Sequence, residues 1–269
     1  MQWAFDVVRI ALTLPFMIYA SVNDYKNREV SNSVWILFAP PAFALTFMEL
    51  FLFESSEFAS YGLSFGLTAL FALILFYAGG FGGADAKALM CLALALPFYP
   101  EKLLAPLTGE VSPISKVFFP LAIFSNSVIL AVFPVLWMFL RNILWRSRSS
   151  RRLFEGDQGR ESVGKKLLVM ITGYKVSISR LKEKWHVYPL EDIEETAEEG
   201  VKRKLIVLPK DEGRDAVVDR LDRAIKAGTI EDGVWASPGL PMLVLITLGL
   251  IVALLFGDII WLFVSSLFG

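Results

Sequence analysis

Gly79-Gly80-Phe81-Gly82-Gly83-Ala84-Asp85-Ala86-Lys87 is the stretch on which the reading of this 269-residue chain turns. It is glycine-dense, carries one acid and one base, and joins two apolar runs, Tyr61 to Ala78 before it and Ala86 to Phe98 after it. Glycine permits positive φ and close backbone approach, so the spacing predicts a tight turn that opens directly into a helix. Asp85 ahead of Ala-Lys-Ala-Leu-Met also reads as a helix cap. An acid at the edge of a membrane-length helix is costly unless it has a use. The chain reads as built to present Asp85 to a second acid, Asp24, in the polar loop after the first apolar run.

The rest of the chain sets that stretch in a membrane. Hydrophobic residues make up 55% of it, with 22 phenylalanines, and the mean hydropathy is +0.55. Both exceed the soluble average. Further apolar runs cover Trp3 to Val22, Val34 to Phe53, Val117 to Leu140 and Leu240 to Phe268. About 20 residues of helix cross the hydrocarbon core; the run from Ala86 to Phe98 is short unless a flanking loop completes it. Asp6 and Arg9 interrupt the first run at helical spacing, which predicts a pair reaching the interface near one end. Pro40-Pro41 predicts a bend. Pro97, Pro100, Pro106 and Pro113 predict an irregular connection. Gly257-Asp258 marks the far interface or a helix break. Glu49, Asn126 and Asp258, polar groups in or near spans, read as packing or interface residues. The expected fold class is a membrane α-helical protein. Six transmembrane helices carry a small cytoplasmic α+β domain inserted before the last one, with segments 1–140, 141–238 and 239–269.

Charge orients this layout. Of the 26 Lys and Arg, 20 lie between Arg141 and Pro238; Lys26, Arg28 and Lys87 share that face, and Lys102 and Lys116 lie on the other. The positive-inside rule then puts both termini outside, with Asp24, Asp85 and the polar segment at the cytoplasmic face of the cell membrane. The cluster Arg141 to Arg152 reads as a lipid-headgroup anchor. Within the polar segment, Leu167 to Thr172, Lys175 to Ser179 and Leu205 to Leu208 read as strands. Asp211 to Ala227 reads as a helix with Gly228 as its C-cap. Glu191 to Glu199 reads as a solvated acidic helix or loop, weighed against a role in attracting a basic peptide.

Net charge is −1, which gives no reason to expect a nucleic-acid partner. A single cysteine, Cys91, allows no internal disulfide or cysteine-built zinc site and reads as packing. The one histidine, His186, reads as surface structure. The N-terminal residues lack the basic region of a cleavable signal. Two carboxylates need neither metal, cysteine nor histidine to hydrolyse a peptide. One, ionised, takes a proton from water, and the other, protonated, donates to the scissile carbonyl oxygen. Such a pair titrates as a unit. No metal and no cofactor are expected.

The stretch Asp24-Tyr25-Lys26-x-Arg28-x-Val30-x-Asn32, with Gly82-Gly83-Ala84-Asp85-x-Lys87, resembles the GxGD-type intramembrane aspartyl peptidases. Within them it is similar to the type IV prepilin peptidases, the archaeal preflagellin (archaellin) peptidases in particular. The resemblance implies that Asp24 and Asp85 are catalytic. It implies an archaeal enzyme that removes class III signal peptides after a glycine that follows a basic stretch. Its partners would be precursors with a basic leader followed by an apolar helix, presented in the lipid bilayer. Ala84 departs from the pattern, which has glycine there; alanine fits if φ is negative. Gly82 and Gly83 are expected to shape the backbone for an approaching peptide. Lys87 biases an aspartate, binds a carboxylate or snorkels. Arg28 and Asn32 are read as ordering the first loop, or Asn32 instead as the N-cap of the second helix, the favoured reading for it. The alternatives are a cation-coupled transporter using membrane acids as relays and a non-enzymatic membrane adaptor.

Overall fold

The computed structural model describes residues 2–149, 152–196, 200–207 and 213–268. The chain divides into two units, one formed by Met1–Ala131 with Pro241–Gly269, the other by Val132–Leu240. In chain order the helices are α1 (Gln2–Asn27), α2 (Asn32–Phe53), α3 (Phe58–Tyr77), α4 (Gly83–Ala95), α5 (Pro113–Val117) and α6 (Phe119–Arg148). Then come α7 (Val163–Thr172), β1 (Tyr174–Val176), α8 (Ile178–Glu183), β2 (Tyr188–Pro189), β3 (Glu191–Thr196) and β4 (Gly200–Leu205). The chain closes with α9 (Arg214–Lys226), β5 (Val234–Ser237), α10 (Met242–Phe256) and α11 (Ile259–Phe268). Among the described residues, four helical segments, α1, α2, Ser55–Tyr77 and α6, are long and apolar enough to cross a membrane; α10 and α11, bent by 49° at their break, make a fifth if they form one span. The protein is therefore mainly helical, with four to five candidate spans and a small sheet region.

In the first unit α4 is the centre. It packs against α1, α2, α3 and α10. Its Ala86, Ala88, Leu89, Cys91, Leu92 and Ala95 are buried in one core with Met17, Phe38, Phe119 and Ile246. Small residues on α4 let its neighbours approach closely, and Cys91 serves there as packing. At 13 residues it is about 20 Å long, short of the roughly 30 Å hydrocarbon core. Gly249 on α10 is required by a similar contact. A Cβ there would lie 2.6 Å from the Ile123 carbonyl oxygen and 2.9 Å from the Ser127 backbone nitrogen of α6.

Asp6 and Arg9 pair, as their spacing predicts. Both are buried, and Arg9 also meets the buried Glu49 of α2 at 2.9 Å. A charge inside apolar packing persists only when paired, and Glu49 is the partner that sequence spacing could not supply. α2 is a single helical segment that contains both Pro40 and Pro41.

The irregular connection after α4 has a specific task. It satisfies the last carbonyls of α10, which a helix end leaves open. Tyr99 Oη donates to Leu254 O at 2.8 Å, Leu107 N–H to Leu255 O at 2.8 Å and Thr108 Oγ1 to Phe256 O at 2.9 Å. Asn126 Nδ2 donates to Gly257 O at 2.9 Å, and Asn126 Oδ1 accepts from Ile259 N–H at 3.1 Å. Gly257 has φ +77, so Gly257-Asp258 is a helix break whose backbone groups are held internally, as an apolar setting demands.

In the second unit β1, β5 and β2 form an antiparallel sheet in that order, with Val176 opposite Val234 and Tyr188 opposite Ser237; β3 and β4 form a separate hairpin. α9 packs Val217, Val218 and Leu221 against Val176, Leu181 and Val234, and Gly228, at φ +70, follows it as the expected glycine. Three expectations are overturned. Leu167 to Thr172 is the end of α7, capped by Ser162 Oγ at Lys165 N–H. Lys175 to Ser179 is strand only to Val176, after which α8 begins. Glu191 to Thr196 is strand β3 rather than a solvated helix or loop: Glu191 and Asp192 are buried, ion-paired to Arg203 at 2.6 Å and Arg220 at 2.7 Å. Burial raises the Glu191 carboxyl above its ordinary value, against the pull of Arg203. Glu198, Glu199 and Leu208, part of those expectations, lie outside the described residues. His186 is half-buried, edge-on to Trp185.

Candidate active site

α3 ends in a Schellman turn. Gly79 has φ +76, its N–H donates to Phe76 O at 3.0 Å, and Gly80 N–H donates to Leu75 O at 2.9 Å. The left-handed residue of the motif is therefore Gly79, while Gly82 is extended at φ −72, ψ 159. Gly82 serves as N-cap of α4, and Asp85, three residues on, turns its Oδ2 back to accept the Gly82 N–H at 2.9 Å. This is the acidic half of a capping box, so Asp85 sits within the first turn of α4 rather than before it. A Cβ at Gly82 would press on Asp85 Oδ2 at 3.1 Å; glycine keeps room for the carboxylate. Ala84 lies inside α4 at helical, negative φ, which is why alanine stands there without strain.

Asp24 occupies the last turn of α1. That helix is stopped by Arg28, a non-glycine residue at φ +56, a conformation costing about 1 kcal/mol. Arg28 N–H still donates to Asp24 O at 3.0 Å. Asp24 Oδ2 accepts the backbone N–H of Leu243, in the first turn of α10, at 3.2 Å. Pro241, before that turn, offers no side-chain cap. Asp24 thus caps α10 from another helix, with its carboxylate at the positive end of the helix dipole. The seam continues inward: Ser21 Oγ donates to Leu243 O at 2.9 Å and lies 2.7 Å from Thr247 Oγ1, which donates to Met17 O at 3.2 Å.

Both aspartates open onto one cleft of about 640 Å³, lined also by Asn23, Asn27, Arg28, Glu29, Val30, Ser31, Gly82, Gly83 and Ala84. The sequence-predicted residues Asp24, Asp85, Gly82, Gly83, Ala84 and Arg28 therefore share one cavity. Lys87 and Asn32 do not line it. They meet each other, Lys87 Nζ donating to Asn32 Oδ1 at 2.6 Å, and so tie the start of α4 to the start of α2. Asn32 is not the cap of α2: Ser31 is, its Oγ accepting from Ser33 N–H at 3.3 Å, which leaves the Asn32 side chain for Lys87. Leu243, Ser21 and Thr247 were not anticipated. Ser21 with Asp24, and Leu243 with Thr247, stand one helical turn apart in otherwise apolar sequence, a weak signal that pairing alone interprets.

A mainly helical protein with two carboxylates on one cleft, each accepting an amide at the N-terminus of a helix, has the carboxylate pair that an aspartic peptidase needs. A sequence profile described as the Type IV leader peptidase family matches residues 11–135, and one described as Archaeal Peptidase A24 C-terminus Type II matches residues 165–259. The preflagellin peptidase of Methanococcus voltae is 26% identical over 264 residues, covering 94% of this chain and 96% of that one. Those of Methanococcus maripaludis and Methanocaldococcus jannaschii are each 23% identical, covering 90% and 93% of this chain and 92% and 94% of theirs. The chain belongs to the type IV leader peptidase family. Members of that family are aspartic peptidases, and this chain is one.

Proposed function

We propose that this peptidase removes class III signal peptides from archaellin- or pilin-like precursors at the cytoplasmic face of an archaeal membrane, with Asp24 and Asp85 as its catalytic pair. The observation that carries the reading is the single cleft lined by both aspartates. Each has its Oδ2 held by a helix-terminal amide, Leu243 N–H for Asp24 and Gly82 N–H for Asp85. Oδ1 of each remains for water and proton. With one acid ionised and one protonated, the ionised acid takes a proton as water attacks the scissile carbonyl carbon. The other acid protonates the carbonyl oxygen. The tetrahedral adduct collapses when the amide nitrogen takes a proton, the C–N bond breaks and the amine leaves.

The layout supports six spans. α1, α2, α3 and α6 cross singly, α10 and α11 form one broken span, and α4 with its flanking loops is the short sixth. Lys26, Arg28 and Lys87 on one side, against Lys102 and Lys116 on the other, support a cytoplasmic cleft and a cytoplasmic segment 141–238 between spans 1–140 and 239–269. A precursor's basic leader then stays in water while its apolar helix lies among the spans. The test is cleavage of a leader-bearing precursor by purified protein carrying Asp24→Asn or Asp85→Asn. Loss of processing in each variant, with the thermal melt unchanged, supports the assignment; processing by either contradicts it.

A further inference from the structure

Helix α7 has its polarity reversed for a helix on a water-facing domain. Its inner side is a single strip: Val169 is buried, and Met170 packs with it against Leu205 and Trp235. Its outward side carries Val163, Leu167 and Leu168, which are 78%, 49% and 42% exposed. A solvated surface helix places polar residues there. The two lysines of α7 are held at its flanks, Lys165 by Glu161 at 3.0 Å and Lys166 by Gly159 O at 3.1 Å.

What covers this face follows from where α7 is tied. The buried Asn142 of α6 donates from Nδ2 to Met170 O at 2.8 Å and to Gly173 O at 2.7 Å, closing the C-terminus of α7. On α6 the exposed apolar side chains run through Phe133, Leu136, Trp137, Leu140, Ile143 and Leu144, and Arg146 and Arg148 follow. The lipid-facing part of that candidate span therefore ends at Leu144, two residues, or about 3 Å, beyond Asn142. The end of α7 is therefore pinned beside the last exposed apolar turn of α6, just ahead of Arg146 and Arg148. Cations cluster in the sequence around this contact: Arg141, whose guanidinium lies 3.8 Å from the centre of the Tyr174 ring, and Arg146, Arg148, Arg151 and Arg152 just after it.

We propose that α7 is an interfacial helix whose Val163, Leu167 and Leu168 enter the headgroup layer of an anionic bilayer beside the exit of α6. Apolar side chains supply partitioning and the cations supply attraction to lipid phosphate, the two forces that hold amphipathic helices at a membrane surface. The proposal rests on α6 crossing the bilayer and is independent of Asp24 and Asp85.

The experiment uses full-length protein carrying Cys91→Ala and one added cysteine, Val163→Cys, Leu167→Cys or Leu168→Cys, labelled with an environment-sensitive fluorophore. Leu140→Cys serves as the lipid reference and Asp219→Cys, on α9, as the water reference. Each protein is placed in nanodiscs of phosphatidylglycerol or of phosphatidylcholine, with and without lipids spin-labelled near the headgroup. The expected result is blue-shifted emission at 163, 167 and 168, quenched by the spin label as at 140 and more strongly in phosphatidylglycerol. Emission matching that at 219 would overturn the proposal. So would blue-shifted emission that lipid does not quench, since a second copy or another protein would then cover the face. Equal quenching in both lipids would overturn the anionic assignment.

Discussion

Asp24, in the last turn of α1, accepts at 3.2 Å the backbone N–H of Leu243, 219 positions later in the first turn of α10. One carboxylate thereby lines the cleft and also stitches two distant helices together. Substitutions that look alike will separate these roles. Asp24→Asn keeps an oxygen for the Leu243 amide and removes the acid, so it abolishes cleavage and leaves the melting temperature unchanged. Asp24→Ala also abandons the helix end, and thermal unfolding in detergent should report a further loss of about 1 kcal/mol. Equal melting temperatures for the two variants would show that the hydrogen bond is idle.

Lys87 donates to Asn32 at 2.6 Å, a contact between the start of α4 and the start of α2. If it acts through that contact, Lys87→Met and Asn32→Ala lower kcat/KM by similar modest factors. The double variant is then no worse than either single one, a coupling of about 1 kcal/mol. A much larger loss for Lys87→Met alone would mean that the lysine acts on substrate or on an aspartate directly.

At the α6–α10 contact, Gly249→Ala places a methyl 2.6 Å from the Ile123 carbonyl oxygen. Backbone cannot yield as a flexible side chain would, so the expected cost is about 1–3 kcal/mol, read as a lowered melting temperature. An unchanged melt would mean the two helices separate freely.

The position of this tight seam was not legible beforehand, and neither was the cross-pairing at the site. Apolar runs of membrane length announce spans by themselves, and the glycine stretch before α4 announces a turn with an acid in it. Interactions between segments carry no such mark. Nothing in the sequence sets Glu49 beside Arg9, and Asn32 reads as a cap until Lys87 claims its side chain. In the polar segment, Leu167 to Thr172 is a short apolar run of the kind that fits strand or helix equally. Ser162 at one end of α7 and Asn142 at the other decide for helix. Glu191 and Asp192 read as solvated because Arg203 and Arg220, which permit their burial, lie well downstream.

Glu161 joins three elements of the second unit. It pairs with Lys165 of α7 at 3.0 Å and accepts Leu205 N–H of β4 at 3.4 Å from its place after the Gly156–Arg160 turn. The Lys165 hydrogen bond holds its carboxyl below the ordinary 4.5. A depressed folded value means that its contribution is complete above the unfolded value and disappears as pH falls through the folded one. The stability difference between wild type and Glu161→Gln should therefore be constant above about pH 5.5, where the unfolded carboxyl is ionised, and shrink below 4.5. It should stay under about 1 kcal/mol for a pair whose lysine remains open to solvent. Denaturant melts of the two proteins across that range check it; a difference that grows on acidification would contradict the assignment.

The central claim is that Asp24 and Asp85 form one catalytic unit. Single-turnover cleavage of a leader-bearing precursor by wild type, Asp24→Asn, Asp85→Asn and the double variant tests it most directly. Groups that act as a unit are not additive. Each single variant should lose at least about 1,000-fold, and the double variant should be no slower than either. Either single variant processing at near wild-type rate, or losses that multiply in the double variant, would contradict it.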